Sequence, residues 1–263
     1  MSSLDVVHGY GESLEKLLRL KTFPLAIKLL EKEEDIPEEA KRPRRDYGYR
    51  MLICQAFSES RRAGATIALT KMEGWCTEAA VGYGFIEPIE YFLEGNTRFP
   101  EGLISTREAA RFWAHEFPRL EYGKYAAVVS APLTEASFEP DIVMVYGDSA
   151  QVTFLLSSRT WVDGYDIRCR LSAQGACVHA VVPVVQTGEC QVTFPCLGDR
   201  RRAFAQDDEV IFSAPIGKVE SLIAGLKGRR QIGMGFPIVP KTEREPEMLK
   251  SYMELARLTG MIE

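Results

Sequence analysis

The sequence predicts an α/β or α+β fold: a single compact domain over residues 1–263, with a mixed sheet and surrounding helices. Three observations carry this. Two uninterrupted apolar runs, Ala126-Ala127-Val128-Val129-Ser130 and Ile142-Val143-Met144-Val145-Tyr146, read as strands buried on both faces. Helical and extended patterns alternate, but irregularly, so they do not specify a simple doubly wound sheet. The length suits one large domain or two intimately packed lobes. Such a chain buries roughly three-quarters of its unfolded surface and needs no disulfides.

The elements follow in order. Leu14, Leu17 and Leu18 share one face of a helix over residues 4–20, with Glu15, Lys16 and Arg19 outside. Residues 23–30 read as a strand. Residues 31–50 run acidic first and basic second, the pattern of an exposed charged connection. A helix over 51–62 carries Cys54, a short strand spans 65–69, and a helix begins at Cys76 and ends near Gly82-Tyr83-Gly84. Residues 88–93 are helical up to the stop at Gly95-Asn96. Ser105-Thr106-Arg107-Glu108 offers a capping box for a helix to Glu116. After the two long strands, Asp148 caps a helix to about Ser157. Residues 167–171 read as a strand, and 175–185 as a helix broken at Pro183. Strands over 191–194 and 210–213 follow, and Pro215 starts a helix at its first turn that runs to Leu226. The last helix spans 245–258 and ends at Gly260.

Composition narrows the function classes. The chain is 46% hydrophobic and 26% charged, ordinary for a soluble globular protein. A net charge of -5 lacks the basic footprint of a nucleic-acid binder. Residues Met1 to His8 have neither a basic n-region nor a long apolar h-region. No apolar run approaches the roughly 20 residues of a membrane span. The expectation is a cytoplasmic, reduced protein with no membrane span. Its redox partner or small-molecule partner is unspecified, and a homo-oligomer is compatible with the sequence.

Nucleotide signatures are missing. There is no Walker A motif and no Gly-x-Gly-x-x-Gly after a strand; Gly82-Tyr83-Gly84 and Gly233-Met234-Gly235 read as turns. The three histidines, His8, His115 and His179, are too scattered for a zinc site of their own, though His179 lies two residues past Cys177. Six cysteines are the richest signal: Cys54, Cys76, Cys169, Cys177, Cys190 and Cys196. In a chain with no secretion signal, they point to metal, cluster or thiol chemistry more than to disulfides. No Cys-x-x-Cys is present, so ligands would have to converge from separate elements. A small buried hydrophobe is the alternative for each cysteine, and the default for Cys169 and Cys190.

Several short motifs, in order, carry a resemblance. They are Phe23-Pro24-Leu25-Ala26-Ile27-Lys28, Cys54-Gln55, Gly74-Trp75-Cys76, Ala131-Pro132-Leu133 and Pro140-Asp141-Ile142-Val143. Cys196-Leu197-Gly198-Asp199-Arg200, Asp208-Glu209 and Ala214-Pro215 complete the series. In this order the chain resembles the DUF169 family, an uncharacterised prokaryotic family. The resemblance implies that Cys54, Cys76, Cys177 and Cys196 fit the family pattern, while Cys169 and Cys190 are peculiar to this sequence. Four thiolates are the ligand set of a [4Fe–4S] or [2Fe–2S] cluster, and also of an all-cysteine zinc site. Closely spaced ligand pairs, usual for structural zinc, are absent, which leaves zinc the lesser expectation. Gly74, Gly175 and Gly198 beside the cysteines suit close backbone approach to a cluster, and Arg200 suits the offset of thiolate charge. The expectation is an iron–sulfur protein with an electron-transfer or accessory redox role. Two alternatives stand beside it. One is a metal-free thiol enzyme using Cys76, Cys196 or the Cys177–His179 pair. The other is a small-molecule-binding module in which Trp75, Tyr83, Phe85 and Trp161 line a pocket with Arg98.

Overall fold

The computed structural model describes residues 2–172, 174–238 and 247–262. Helix α1 (Ser3–Leu18) leads into β1 (Leu25–Leu30), a 3-10 turn (Glu33–Asp35), α2 (Pro43–Asp46), α3 (Ile53–Ala63) and β2 (Ile67–Thr70). Three helices follow, α4 (Thr77–Gly82), α5 (Glu90–Leu93) and α6 (Arg107–Glu116), then β3 (Ala127–Pro132) and β4 (Ile142–Asp148). The last part comprises α7 (Ser149–Asp163), α8 (Ala176–Thr187), β5 (Gln191–Thr193), α9 (Leu197–Arg202), β6 (Glu209–Pro215), α10 (Ile216–Gln231) and α11 (Lys250–Leu258).

The six strands form one sheet in the order β2-β3-β1-β4-β6-β5. Every strand pair is antiparallel; among the described residues, parallel pairing is confined to two isolated bridges, Lys41–Ile67 and Met51–Gly74. The fold is therefore α+β. Strand β1 occupies the middle, with Ile27 opposite both Ser130 and Ile142. This is why its sequence is apolar on both sides. The one polar residue inside it, Lys28, reaches Asp141 at 3.2 Å, and Asp141 also accepts the Leu29 N–H at 2.8 Å. Two of the short motifs thus meet each other across the sheet.

Strand periodicity divides the core in two. Leu25, Ile27, Leu29, Met144, Tyr146 and Ile211 face helices α3, α4 and α8 and the Phe92–Phe117 aromatic group. Ala26, Val143, Val145, Phe212 and Ala214 face α1, α7 and α10. Gln151 fastens this second layer. It completes a reciprocal capping box with Asp148 at the start of α7, and its amide donates to the carbonyls of Leu18 and Arg19 at the end of α1.

Several expectations are corrected. Residues 167–171 form no strand; they lie beside β5, where Cys169 Sγ accepts the Val192 N–H and the Gln191 side chain donates to the Arg170 carbonyl. The apolar-polar alternation there comes from partial burial without a ladder. Helix α8 is not broken at Pro183 but continues to Thr187, almost wholly buried between the sheet and α4. Packing outweighs a local proline cost of about 3 kcal/mol. The cap of α6 is Thr106, whose hydroxyl accepts the Ala109 N–H, one residue later than expected. Helices α7 and α10 run about a turn longer, Pro215 is the cap of α10, and α9 was not expected. The last helix starts at Lys250; residues 245 and 246 of the expected helix lie outside the described residues. Among the described residues no helix is long and apolar enough to cross a membrane.

Candidate thiol site at four helix starts

The site is built from loops that deliver cysteines to helix starts. Cys54 is the second residue of α3, whose first turn is steadied by the Leu52 N–H donating to Gln55 Oε1 at 2.9 Å. Cys76 is the N-cap of α4. Its approach is fixed by two backbone bonds, Met51 N–H to the Glu73 carbonyl and Trp75 N–H to the Met51 carbonyl, both 3.0 Å. These tie the segment before Cys54 to the segment before Cys76. Cys177 is the second residue of α8, after Gly175 at φ +68°. A Cβ at Gly175 would sit 2.7 Å from the Phe117 ring, so both conformation and space require glycine. Tyr83, fully buried, donates to the Cys177 carbonyl at 3.0 Å. Cys196 is the N-cap of α9, with its N–H and thiol both donating to Asp199 Oδ2, at 3.2 and 2.9 Å.

Packing brings the four thiols to one region: Cys177 belongs to the core under α3, α4 and α8, Cys76 and Cys196 pack against it, and α3, which carries Cys54, contacts α9. Burial pushes Cys177 well up, and Cys54, Asp199, Cys76 and Cys196 push it further. Burial likewise raises Cys54, followed by Asp199, Cys196 and Cys76. Cys196 is raised by burial and then by Asp199, while the Ala176 N–H at the start of α8 holds it down. Cys76 is raised by burial and opposed by the N–H groups of Ala79 and Glu78 and by the Arg98 guanidinium. The influence of the other thiols thus falls on Cys54 and Cys177, the two most buried of the four. Cys169 and Cys190 stand apart. Cys190 lies in the other core, where burial lifts it to about 11, and the thiol influencing it is Cys169.

Around the thiols lies a polar support that sequence reasoning did not assign. Asp199 is 1% exposed, and burial raises its carboxyl despite the pull of Cys196. Tyr146 OH lies 3.5 Å from Asp199 Oδ1, and the Arg61 guanidinium stacks 4.1 Å from the Tyr146 ring. Arg61 is bound bidentately to Glu209 at 2.7 and 3.0 Å, with both side chains buried. The one sequence signal for this support was Asp199 and Glu209 recurring inside the short motifs.

Other candidates have different places. His179 is packed, its Nδ1 donating to the Gly175 carbonyl at 3.1 Å and its ring edge-on to Phe117. Arg200 turns from Cys196 to Gln206 and Asp207. Arg98, beside Cys76, is the nearby cation; it pairs with Glu78, stacks on Trp113, and its Nε has no acceptor among the described residues. The pocket expected from Trp75, Tyr83, Phe85 and Trp161 does not form. Tyr83 and Phe85 are core, and Trp161 packs near Gly228 on α10. Among the described residues, no three His, Cys, Asp or Glu side chains are gathered as the ligands of one metal ion.

No curated protein and no solved structure matches the chain. A family model does, over residues 13–225, which include all four site cysteines, Asp199 and Glu209. The chain belongs to the DUF169 family, described as "Uncharacterised ArCR, COG2043".

Proposed function

We propose that Cys54, Cys76, Cys177 and Cys196 hold an iron–sulfur cluster, a [4Fe–4S] centre before zinc, in an electron-transfer or accessory redox role. The observation that carries this is convergence: Cys177 lies in the core under α3, α4 and α8, Cys76 and Cys196 pack against that core, Cys54 stands on α3 where it contacts α9, and Cys190 lies in the other core. The donor set fits the group. Each thiolate of a cubane binds its own iron, so its four sulfurs stand further apart than ligands around one ion. The N–H groups at the starts of α4 and α8 and the charge of Arg98 favour the thiolate forms of Cys76 and Cys196, in keeping with the electrostatics of cluster ligands. When bound, the cluster supplies one-electron chemistry. The chain's own residues exclude water, hold the sulfurs and offset their charge.

The test is iron and acid-labile sulfide analysis of anaerobically purified protein, with its visible spectrum. The expected result is about four of each per chain and broad visible absorbance. Cys54→Ser and Cys196→Ser should lose both. Protein that takes up neither iron nor sulfide on anaerobic reconstitution, with its thiols free, would overturn the reading; zinc alone would replace it with a structural site.

A further inference from the structure

A cleft of about 440 Å³ opens beside the thiol region, lined by Arg44, Gly48, Tyr49, Arg50 and Trp75. Its walls are unusual for a solvated loop. Trp75 is 61% exposed and Tyr49 is 55% exposed, although large aromatics are mostly buried in folded chains. Tyr49 stacks on Tyr47 with ring centroids 5.9 Å apart, and the Arg50 guanidinium lies 5.0 Å from the centre of Trp75.

The arginines of this segment divide into two kinds. Arg42 is neutralised by Glu33 and Glu73, and Arg45 by Asp46. Arg44 and Arg50, the two that line the cleft, form no ion pair among the described residues. The frame beneath them is fixed by the Arg42–Glu73 pair and by the backbone bonds joining Met51 to Glu73 and Trp75. The frame presents two guanidiniums without carboxylate partners among the described residues, one of them stacked on Trp75, beside two flat rings. The rings accept a stacked planar group, and two cations match a dianion, which guanidinium forks bind in planar geometry. The volume falls in the range of small-molecule sites, about 300–1,000 Å³.

We propose that this cleft binds a planar aromatic ring bearing a phosphate, the chemistry of a mononucleotide, with the ring on Trp75 and Tyr49 and the phosphate on Arg44 and Arg50. This goes beyond the cluster reading and does not depend on it, since none of these side chains is a cluster ligand. Trp75 directly precedes Cys76, so an occupant would sit next to the thiol region.

The test titrates the full-length protein with flavin mononucleotide and with adenosine monophosphate, following tryptophan fluorescence and heat. Riboflavin, adenosine and inorganic phosphate serve as half-ligands. Saturable binding of one mononucleotide is expected, at least about tenfold tighter than its own half-ligands. Which one saturates distinguishes a flavin from an adenine source. Trp75→Ala and Arg50→Ala should each weaken it by about tenfold or more, and the exposed Phe112→Ala should leave it unchanged. Saturation by neither mononucleotide overturns the proposal. So does inorganic phosphate binding as tightly as they do, or unchanged affinity in Trp75→Ala and Arg50→Ala proteins whose circular dichroism is native. Iron content, measured separately, has no bearing on this result.

Discussion

The two faces of the sheet are built from the same strands and solve different problems. The face under α1, α7 and α10 is mostly apolar; its buried polar groups Gln151, Ser158 and Arg159 belong to α7, and its cysteine, Cys190, is one small apolar residue among valines and leucines. The face under α3, α4 and α8 carries Cys54, Cys177, Tyr83, Tyr146, Asp199, and the Arg61–Glu209 pair in its interior. A purely structural layer has no use for so many polar groups, since burying each is costly unless it is partnered. The first face shows what this sheet needs in order to fold. The excess on the second face is what function has to explain.

The comparison can be broken most decisively by exchanging one sulfur for oxygen on each side. Cys177→Ser should remove all bound iron, whereas Cys190→Ser should remove none, although both thiols are buried. Iron and sulfide content after identical anaerobic preparation reads the difference; equal retention in both would make the two faces alike. Next in size is the ion pair. Glu209→Ala leaves Arg61 buried and unpaired and should cost about 3–5 kcal/mol in denaturant unfolding. Replacing the pair together, Arg61→Met with Glu209→Leu, should recover most of that loss. If it does not, the pair contributes more to stability than an apolar layer would, and the contrast between the faces sharpens.

The smallest effect concerns the rim of the second face. Burial pushes the Glu73 carboxyl up, but its bonds from Thr70 and Arg42 outweigh that and hold it below its ordinary value. A depressed carboxyl contributes stability above its unfolded pKa, about 4.3, and loses it as pH falls through the folded value. Wild-type unfolding free energy should therefore decline below about pH 4.3 more steeply than that of Glu73→Gln. Parallel curves for the two proteins would remove the clamp from the account of the cleft.

Much of the architecture was legible because strand burial writes itself into composition. The apolar runs at 126–130 and 142–146 and the strand at 23–30 are strands because neighbours cover both their faces. Cys76 at a helix start was legible too. The stretch at 167–171 misled because half-burial against β5 imitates strand alternation without a ladder. Helix α9 escaped because six residues capped by a cysteine give too little periodicity. The convergence of the thiols was not legible in their spacing, since it depends on strand order. The cleft was missed because its members, Tyr49, Arg50 and Trp75, come from two segments joined by a parallel bridge that no local pattern announces.

The strand order has a consequence for how the protein is made. Cys54 and Cys76 flank the edge strand β2, whose strand partner is β3, whereas Cys177 and Cys196 flank β5 at the opposite edge, held through β6. During translation the first two cysteines leave the ribosome well before the last two have been synthesised. The four-cysteine region is complete only when β6 docks on β4 and closes the sheet. Contacts of such long sequence separation form late and slowly. A four-thiolate ligand set therefore cannot exist until the chain through Cys196 has been made, so a group held by it would be acquired late in synthesis.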